Sequence, residues 1–194
     1  MANVDYVYFI THPEVQLDPA VPVSQWSLSD RGRARMRSAL QQPWIASLTS
    51  LYCSTEPKAT EGAEILAHHL ALPVHQKADL GENDRSATGF LRPPEFEQVV
   101  DCFFAEPQTS VRGWETAQSA QRRIVRTVAE VLKDALPGNV AIIAHGAVGT
   151  LLLCHYAGYP IARRYDQPGT GGGNYFVFEA VSKRITQAWK PIDV

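Results

Sequence analysis

Apolar residues along this chain fall into two kinds of pattern. Short runs rich in β-branched and aromatic residues, such as VDYVYFI (Val4 to Ile10) and Val140 to Ala144, predict strands buried on both faces. Elsewhere apolar positions recur at helical spacing: Ala59, Ala63, Leu66 and Leu70 share one face of a helix predicted over Glu56 to Leu70. Similar patterns predict helices at Asp30 to Leu40 (capped by Ser29), Pro94 to Ala105, Glu115 to Leu136 and Ala147 to Ala157. Further strands fall at Leu51 to Ser54, Val74 to Leu80, Tyr175 to Val181 and Arg184 to Lys190, the last two joined as a hairpin at Ser182-Lys183. Gly81 to Pro94 has no period and reads as a loop. Strands alternating with helices predict one α/β domain over residues 1–194. Its expected form is a three-layer sandwich: a mainly parallel central sheet, helices on both faces, and an antiparallel excursion at the end.

Composition narrows the function classes. Hydrophobic residues make up 45% of the 194 and charged residues 20%, a globular balance. A net charge of −2 offers no broad basic field for nucleic acid or an anionic membrane, so any anion site is a local cluster. No apolar run reaches the ~20 residues needed to span a bilayer. The start MANVDYVYFI lacks the basic segment and cleavage site of a signal peptide, so a cytoplasmic protein is expected. Cys53, Cys102 and Cys154 form no CxxC pair and lie in apolar surroundings, which predicts buried free thiols in a reducing compartment. His68 and His69 end a helix, where cations suit the dipole. His75 and His155 lack ligand spacing, so no metal is assigned. Oligomeric state is left open.

The chemistry concentrates on His12 and His145, each placed directly after an apolar run. Carboxyl ends of parallel strands open onto one edge of an α/β sheet, where ligands bind. If these strands are neighbours, the two imidazoles converge on one pocket. The alternative is two unrelated strand-end histidines satisfied by nearby backbone.

Four segments extend the pattern: FITHPE, YCSTEPKATEGAEIL, LGEN and AIIAHG. In that order, together with LSDRGRARM, they resemble the histidine phosphatase superfamily, the phosphoglycerate mutase-like proteins. The resemblance runs from Tyr6 to the final hairpin. It implies a phosphomonoester hydrolase without a cofactor, acting on a small phosphorylated substrate. His12 would be the nucleophile that forms a phosphohistidine. Glu82 would protonate the leaving oxygen and then activate water. His145, if protonated, would neutralise the phosphoryl oxygens. The expected phosphoryl-binding set is Thr11, Lys58 and Gly146 at the family's positions, joined by Arg85 from the Glu82 loop.

The chain departs from the family pattern at four positions. Thr11 stands where the family has an arginine, Lys58 where it has a second, and Gly62 where it often has threonine. Neither Thr11 nor Lys58 offers the planar fork of a guanidinium. Pro13 replaces the glycine after the nucleophile, but retains a carbonyl able to orient the imidazole. Arg85, in the same loop as Glu82, is the candidate to supply the missing cation, while Arg92 and Arg112 read as surface charges. The glycine-rich GTGGGN (Gly169 to Asn174) lacks the Lys-Ser/Thr of a P-loop; it either lines the site or forms a flexible turn. Three alternatives stay open: a non-catalytic anion-binding relative, a phosphomutase, and a hydrolase of a non-phosphate ester or anhydride.

Overall fold

The computed structural model describes residues 4–169 and 171–194. Thr170, inside the glycine-rich segment, lies outside the described residues, as do positions 1–3 of the expected domain. In chain order the elements are β1 (Val4–Thr11), α1 (Asp30–Ala39), β2 (Leu48–Cys53), α2 (Pro57–Leu70), β3 (Val74–Gln76), α3 (Pro93–Ala105), α4 (Ala117–Asp134), β4 (Gly138–Ala144), α5 (Gly146–Ala157), β5 (Asn174–Glu179) and β6 (Ile185–Pro191). The six strands form one sheet in the order β3-β2-β4-β1-β5-β6. β1 to β4 are mutually parallel, whereas β5 pairs antiparallel with β1 and with β6.

Period-two alternation along the central strands builds two cores. Val7 and Phe9 of β1, Val140 and Ile142 of β4, and Phe176 and Phe178 of β5 pack beneath α3, α4 and α5. Ile10, Ala141, Ile143, Tyr175 and Val177 point the other way, against Met36 of α1 and Ala59, Ala63 and Leu66 of α2. The three-layer sandwich with a mainly parallel sheet is therefore the observed architecture.

Helix ends follow local chemistry. Ser29 Oγ accepts the Gly32 N–H at 3.1 Å to start α1. Thr116 Oγ1 accepts from Ser119 N–H at 3.1 Å, so α4 begins at Ala117 rather than at Glu115. The strand expected over Val74 to Leu80 is shorter, because residues 78–80 turn as a 3-10 helix that buries Leu80. The two-residue hairpin expected at Ser182-Lys183 is a wider turn between Glu179 and Ile185, with Lys183 left-handed at φ 61°. Cys102 is exposed, contrary to the buried thiol expected there. On α3 the inward face is taken by Val99, Val100, Phe103 and Phe104, which turns Cys102 outward. Cys53 and Cys154 are buried.

Candidate active site

The site stands at the carboxyl edge of the sheet. Parallel pairing of β1 with β4 sets Thr11 beside Ala144, and the next residue of each strand is a histidine. The His12 N–H donates to the Ala144 carbonyl at 3.0 Å, carrying the ladder one step past the strand. The two imidazole centroids lie 5.2 Å apart with ring planes at 69°. β2 flanks β4 on the other side, and the Oγ of Ser54 at its end lies 2.7 Å from His145 Nε2. Two rings separated by most of the sequence thus meet at one sheet edge, where His12 lines the cavity and His145 is buried behind it.

His12 is oriented by its own neighbour. Its Nδ1 donates to the Pro13 carbonyl at 2.8 Å. A carbonyl only accepts, so the proton resides on Nδ1 and Nε2 keeps a free lone pair. Burial, reinforced by His145 and Lys58, lowers the His12 pKa from 6.5 to about 3. The ring is neutral at ordinary pH. His145 is fully buried; burial first, then the charges of Lys58, Arg85 and Arg123, hold it neutral as well. Its Nδ1 has no hydrogen-bond partner among the described residues.

Glu82 reaches the same edge from the loop after β3. Its carboxylate accepts from Ala147 N–H at 3.2 Å and Val148 N–H at 3.1 Å, both in the first turn of α5. His145 is the N-cap of that helix and makes no side-chain cap bond, so Glu82 caps it from outside. Burial raises the Glu82 pKa, opposed by Arg85 and by those two backbone donors. Arg123 of α4 fastens the loop through the carbonyls of Asp79, Gly81 and Glu82 at 2.8, 2.9 and 3.1 Å.

The expected phosphoryl-binding residues separate into two groups. Gly146 and Arg85 line a cavity of about 320 Å³ together with His12, Glu82, Asn83 and Gly172. Arg85 makes no salt bridge with a described carboxylate; its guanidinium lies 5.2 Å over the Phe96 ring and 5.9 Å from that of Trp114. Thr11 and Lys58 lie outside this wall. The Thr11 hydroxyl is buried, donating to Gln167 Oε1 at 2.7 Å while accepting from Asn174 N–H at 3.0 Å. It braces the strand end from beneath. The Lys58 ammonium is buried too, held by the Val23 carbonyl at 2.7 Å and by Glu56 Oε2 at 2.5 Å. Arg92 is exposed and Arg112 pairs with Glu95, as expected of surface charges.

The glycine-rich segment lines the cavity through Gly169, Gly171 and Gly172. Gly172 has φ +72° and packs so tightly that a Cβ there would collide with the His12 carbonyl oxygen. The next N–H, from Gly173, donates to that same oxygen at 3.1 Å. Arg35 of α1 holds the segment from behind: it donates to the carbonyls of Gly172 and Gly173, both at 3.0 Å, and pairs with Glu14 and Asp193.

Sequence reasoning missed Glu56. Its Oε1 lies 3.4 Å from His145 Nε2 and accepts the Glu82 N–H at 3.0 Å. A glutamate just before Pro57 at a helix start looks like routine dipole compensation, so only its nearness to Lys58 in TEPK could have flagged it. Arg123 carried no signal beyond an arginine on an amphipathic helix. Among the described residues no group of three or more His, Cys, Asp or Glu side chains is arranged to hold a metal ion. No described helix is long and apolar enough to cross a membrane.

The chain's fold has many solved counterparts. Bacillus stearothermophilus YhfR superposes with a TM-score of 0.75 at 22% identity, covering 97% of each chain. The complex of mycobacterial glucosyl-3-phosphoglycerate phosphatase with inorganic phosphate gives 0.76 at 16% identity, covering 98% of this chain and 99% of the other. A putative alpha-ribazole-5'-P phosphatase from Escherichia coli K-12 gives 0.70 at 18%, covering 95% of each. No curated protein matches the chain in sequence. The profile of one family matches residues 7–189, nearly the whole length, and with it the chain belongs to the histidine phosphatase superfamily (branch 1).

Proposed function

We propose that the protein is a phosphomonoester hydrolase working through a phosphohistidine on His12. The observation that carries this is the Nδ1–H bond from His12 to Pro13, which leaves Nε2 as a bare lone pair in a ring that burial keeps neutral. Nε2 attacks phosphorus, the P–O bond to the leaving group breaks, and the departing oxygen takes a proton from Glu82. A water then attacks phosphorus, giving a proton to Glu82, while the P–N bond breaks and its electron pair returns to His12 Nε2. Phosphate leaves and His12 returns to its starting state.

His145 serves as a neutral donor. Ser54 Oγ accepts the Glu56 N–H at 3.3 Å, which frees its O–H to donate to His145 Nε2. In this reading the imidazole proton sits on Nδ1, which has no hydrogen-bond partner among the described residues, as a donor for a phosphoryl oxygen. Arg85 replaces the family arginine as the cation facing the charge that develops in transfer. Loss of one well-aimed donor costs ~2.7–4 kcal/mol, so the substitution of Thr11 for arginine demands such compensation.

One feature favours a second reading, an anion-binding protein without turnover: Thr11 and Lys58 are both engaged by other protein groups. Phosphate release from an aryl phosphate across mildly acidic pH separates the two. Hydrolysis by the wild type that His12→Ala abolishes supports the enzyme. Release no greater than from His12→Ala across a broad panel of phosphate esters overturns it in favour of the binding protein.

A further inference from the structure

The cavity that holds His12 adjoins a second one. This neighbour has a volume of about 460 Å³, and Arg85, Phe96, Glu97 and Gly171 line both. Its wall is otherwise largely apolar, built from Leu17, Val23, Trp26, Phe90 and Leu91. The Trp26 indole N–H is already used, donating to the carbonyls of Asp18 and Val21 at 2.9 and 3.0 Å. Trp26 and Phe90 lie with centroids 5.6 Å apart, so together they present carbon surface. Glu97 is paired with Arg163, which leaves Arg85 as the cation at the junction of the two spaces.

We propose that this annex receives the leaving group, and that the substrates are phosphomonoesters of apolar, ring-bearing alcohols. The proposal rests on the phosphatase reading above and adds the substrate class to it. Arg85 marks the boundary: the phosphoryl group lies on its His12 side and the ester's organic part on its Phe90 side. The size matches a small organic group, since ligand cavities run from roughly 300 to 1,000 Å³. A sugar or a second phosphate would leave its hydroxyls or charge against carbon, with the loss of hydration uncompensated.

The test compares 2-naphthyl phosphate, phenyl phosphate and glycerol phosphate. The two aryl leaving groups have similar acidity, so their difference reports contact rather than reactivity. A single methylene in a formed apolar pocket changes kcat/KM by roughly ten-fold or more. The naphthyl ester is therefore expected to exceed the phenyl ester by at least about ten-fold, mostly in KM, with glycerol phosphate the poorest. Leu17 is 60% exposed, so Leu17→Asp puts a charge at the annex without opening the core. That variant, and Phe90→Ser, should each bring the naphthyl-to-phenyl ratio toward one, with thermal melts confirming the fold. A ratio near one in the wild type, or one that neither variant moves, overturns the annex.

Calorimetric binding of both aryl phosphates to His12→Ala separates the two levels. Tighter naphthyl binding that Leu17→Asp removes, with no ester hydrolysed by the wild type, sinks the phosphatase reading and keeps the annex as an apolar subsite. Equal hydrolysis of all three esters keeps the phosphatase and sinks the annex.

Discussion

Glu56 Oε2 lies 2.5 Å from the ammonium of Lys58, and both are shielded from solvent. The carboxylate thus satisfies the very cation that the family resemblance directs to the phosphoryl group. Glu56→Gln should release Lys58 toward the cavity. Hydrogen bonds to charged groups contribute ~1.5–3 kcal/mol, so inhibition by inorganic phosphate should strengthen about ten-fold. An unchanged or weaker inhibition constant would show that Lys58 does not reach the anion.

The Arg85 guanidinium has neither an acidic partner nor a hydrogen bond among the described residues; only its backbone carbonyl, which a substitution keeps, accepts from Thr88 and Gly89. Its stacking over Phe96 and Trp114 contributes only ~0.5–1 kcal/mol at a partly exposed position. Arg85→Ala should therefore abolish phosphate binding, followed by calorimetry, with a small change in melting temperature. Intact phosphate binding would remove Arg85 from the mechanism.

Glu82 has two separable duties. As the external cap of α5, its loss in Glu82→Ala should lower stability by ~1 kcal/mol in a denaturant melt. As the proton donor, its loss should lower kcat for an alkyl phosphate by ~10²–10⁴. The effect on p-nitrophenyl phosphate should be much smaller, because that leaving group departs without help. Equal losses on both substrates would indicate a purely structural part for Glu82.

Acid should destabilise the fold through the histidine pair. His12 has a pKa of about 3 in the folded state against 6.5 otherwise, so between these values the unfolded chain binds the extra proton. Stability is then fully present above pH 6.5 and is lost as pH falls toward about 3. Each such proton contributes a slope of about 1.4 kcal/mol per pH unit. His12→Asn should flatten the curve of melting temperature against pH in this window; an identical slope would place the acid-labile group elsewhere.

The backbone at Gly172 is left-handed and abuts the His12 carbonyl. Gly172→Ala carries a conformational cost of ~1–2 kcal/mol even before that collision is relieved. Both stability and turnover should drop, whereas Gly169→Ala, at φ +75° with nothing near its Cβ, should cost the backbone strain alone. Matching losses in kcat for the two variants would argue against a role for Gly172 in seating the nucleophile.

Much of this arrangement was legible from hydrophobic pattern. Unbroken apolar runs located β1 and β4, and their histidines followed by position alone. Strand adjacency was not legible, because pairing β1 with β4 depends on a crossover that no local window records. The short β3 was overextended because Ala78 and Leu80 are as apolar in a 3-10 turn as in a strand. The fates of Thr11 and Lys58 were hidden for another reason. Gln167, Asn174 and Val23 are distant in sequence or unremarkable in type, and only packing selects them; Glu56, two residues from Lys58, was the one legible partner.

The guanidinium of Arg35 has a consequence at a distance. One side chain joins the Gly172–Gly173 backbone at the rim of the crevice to Asp193, next to the last residue. Replacing the Asp193 carboxylate therefore loosens the hold on the loop that seats the nucleophile, some 180 positions earlier in the sequence.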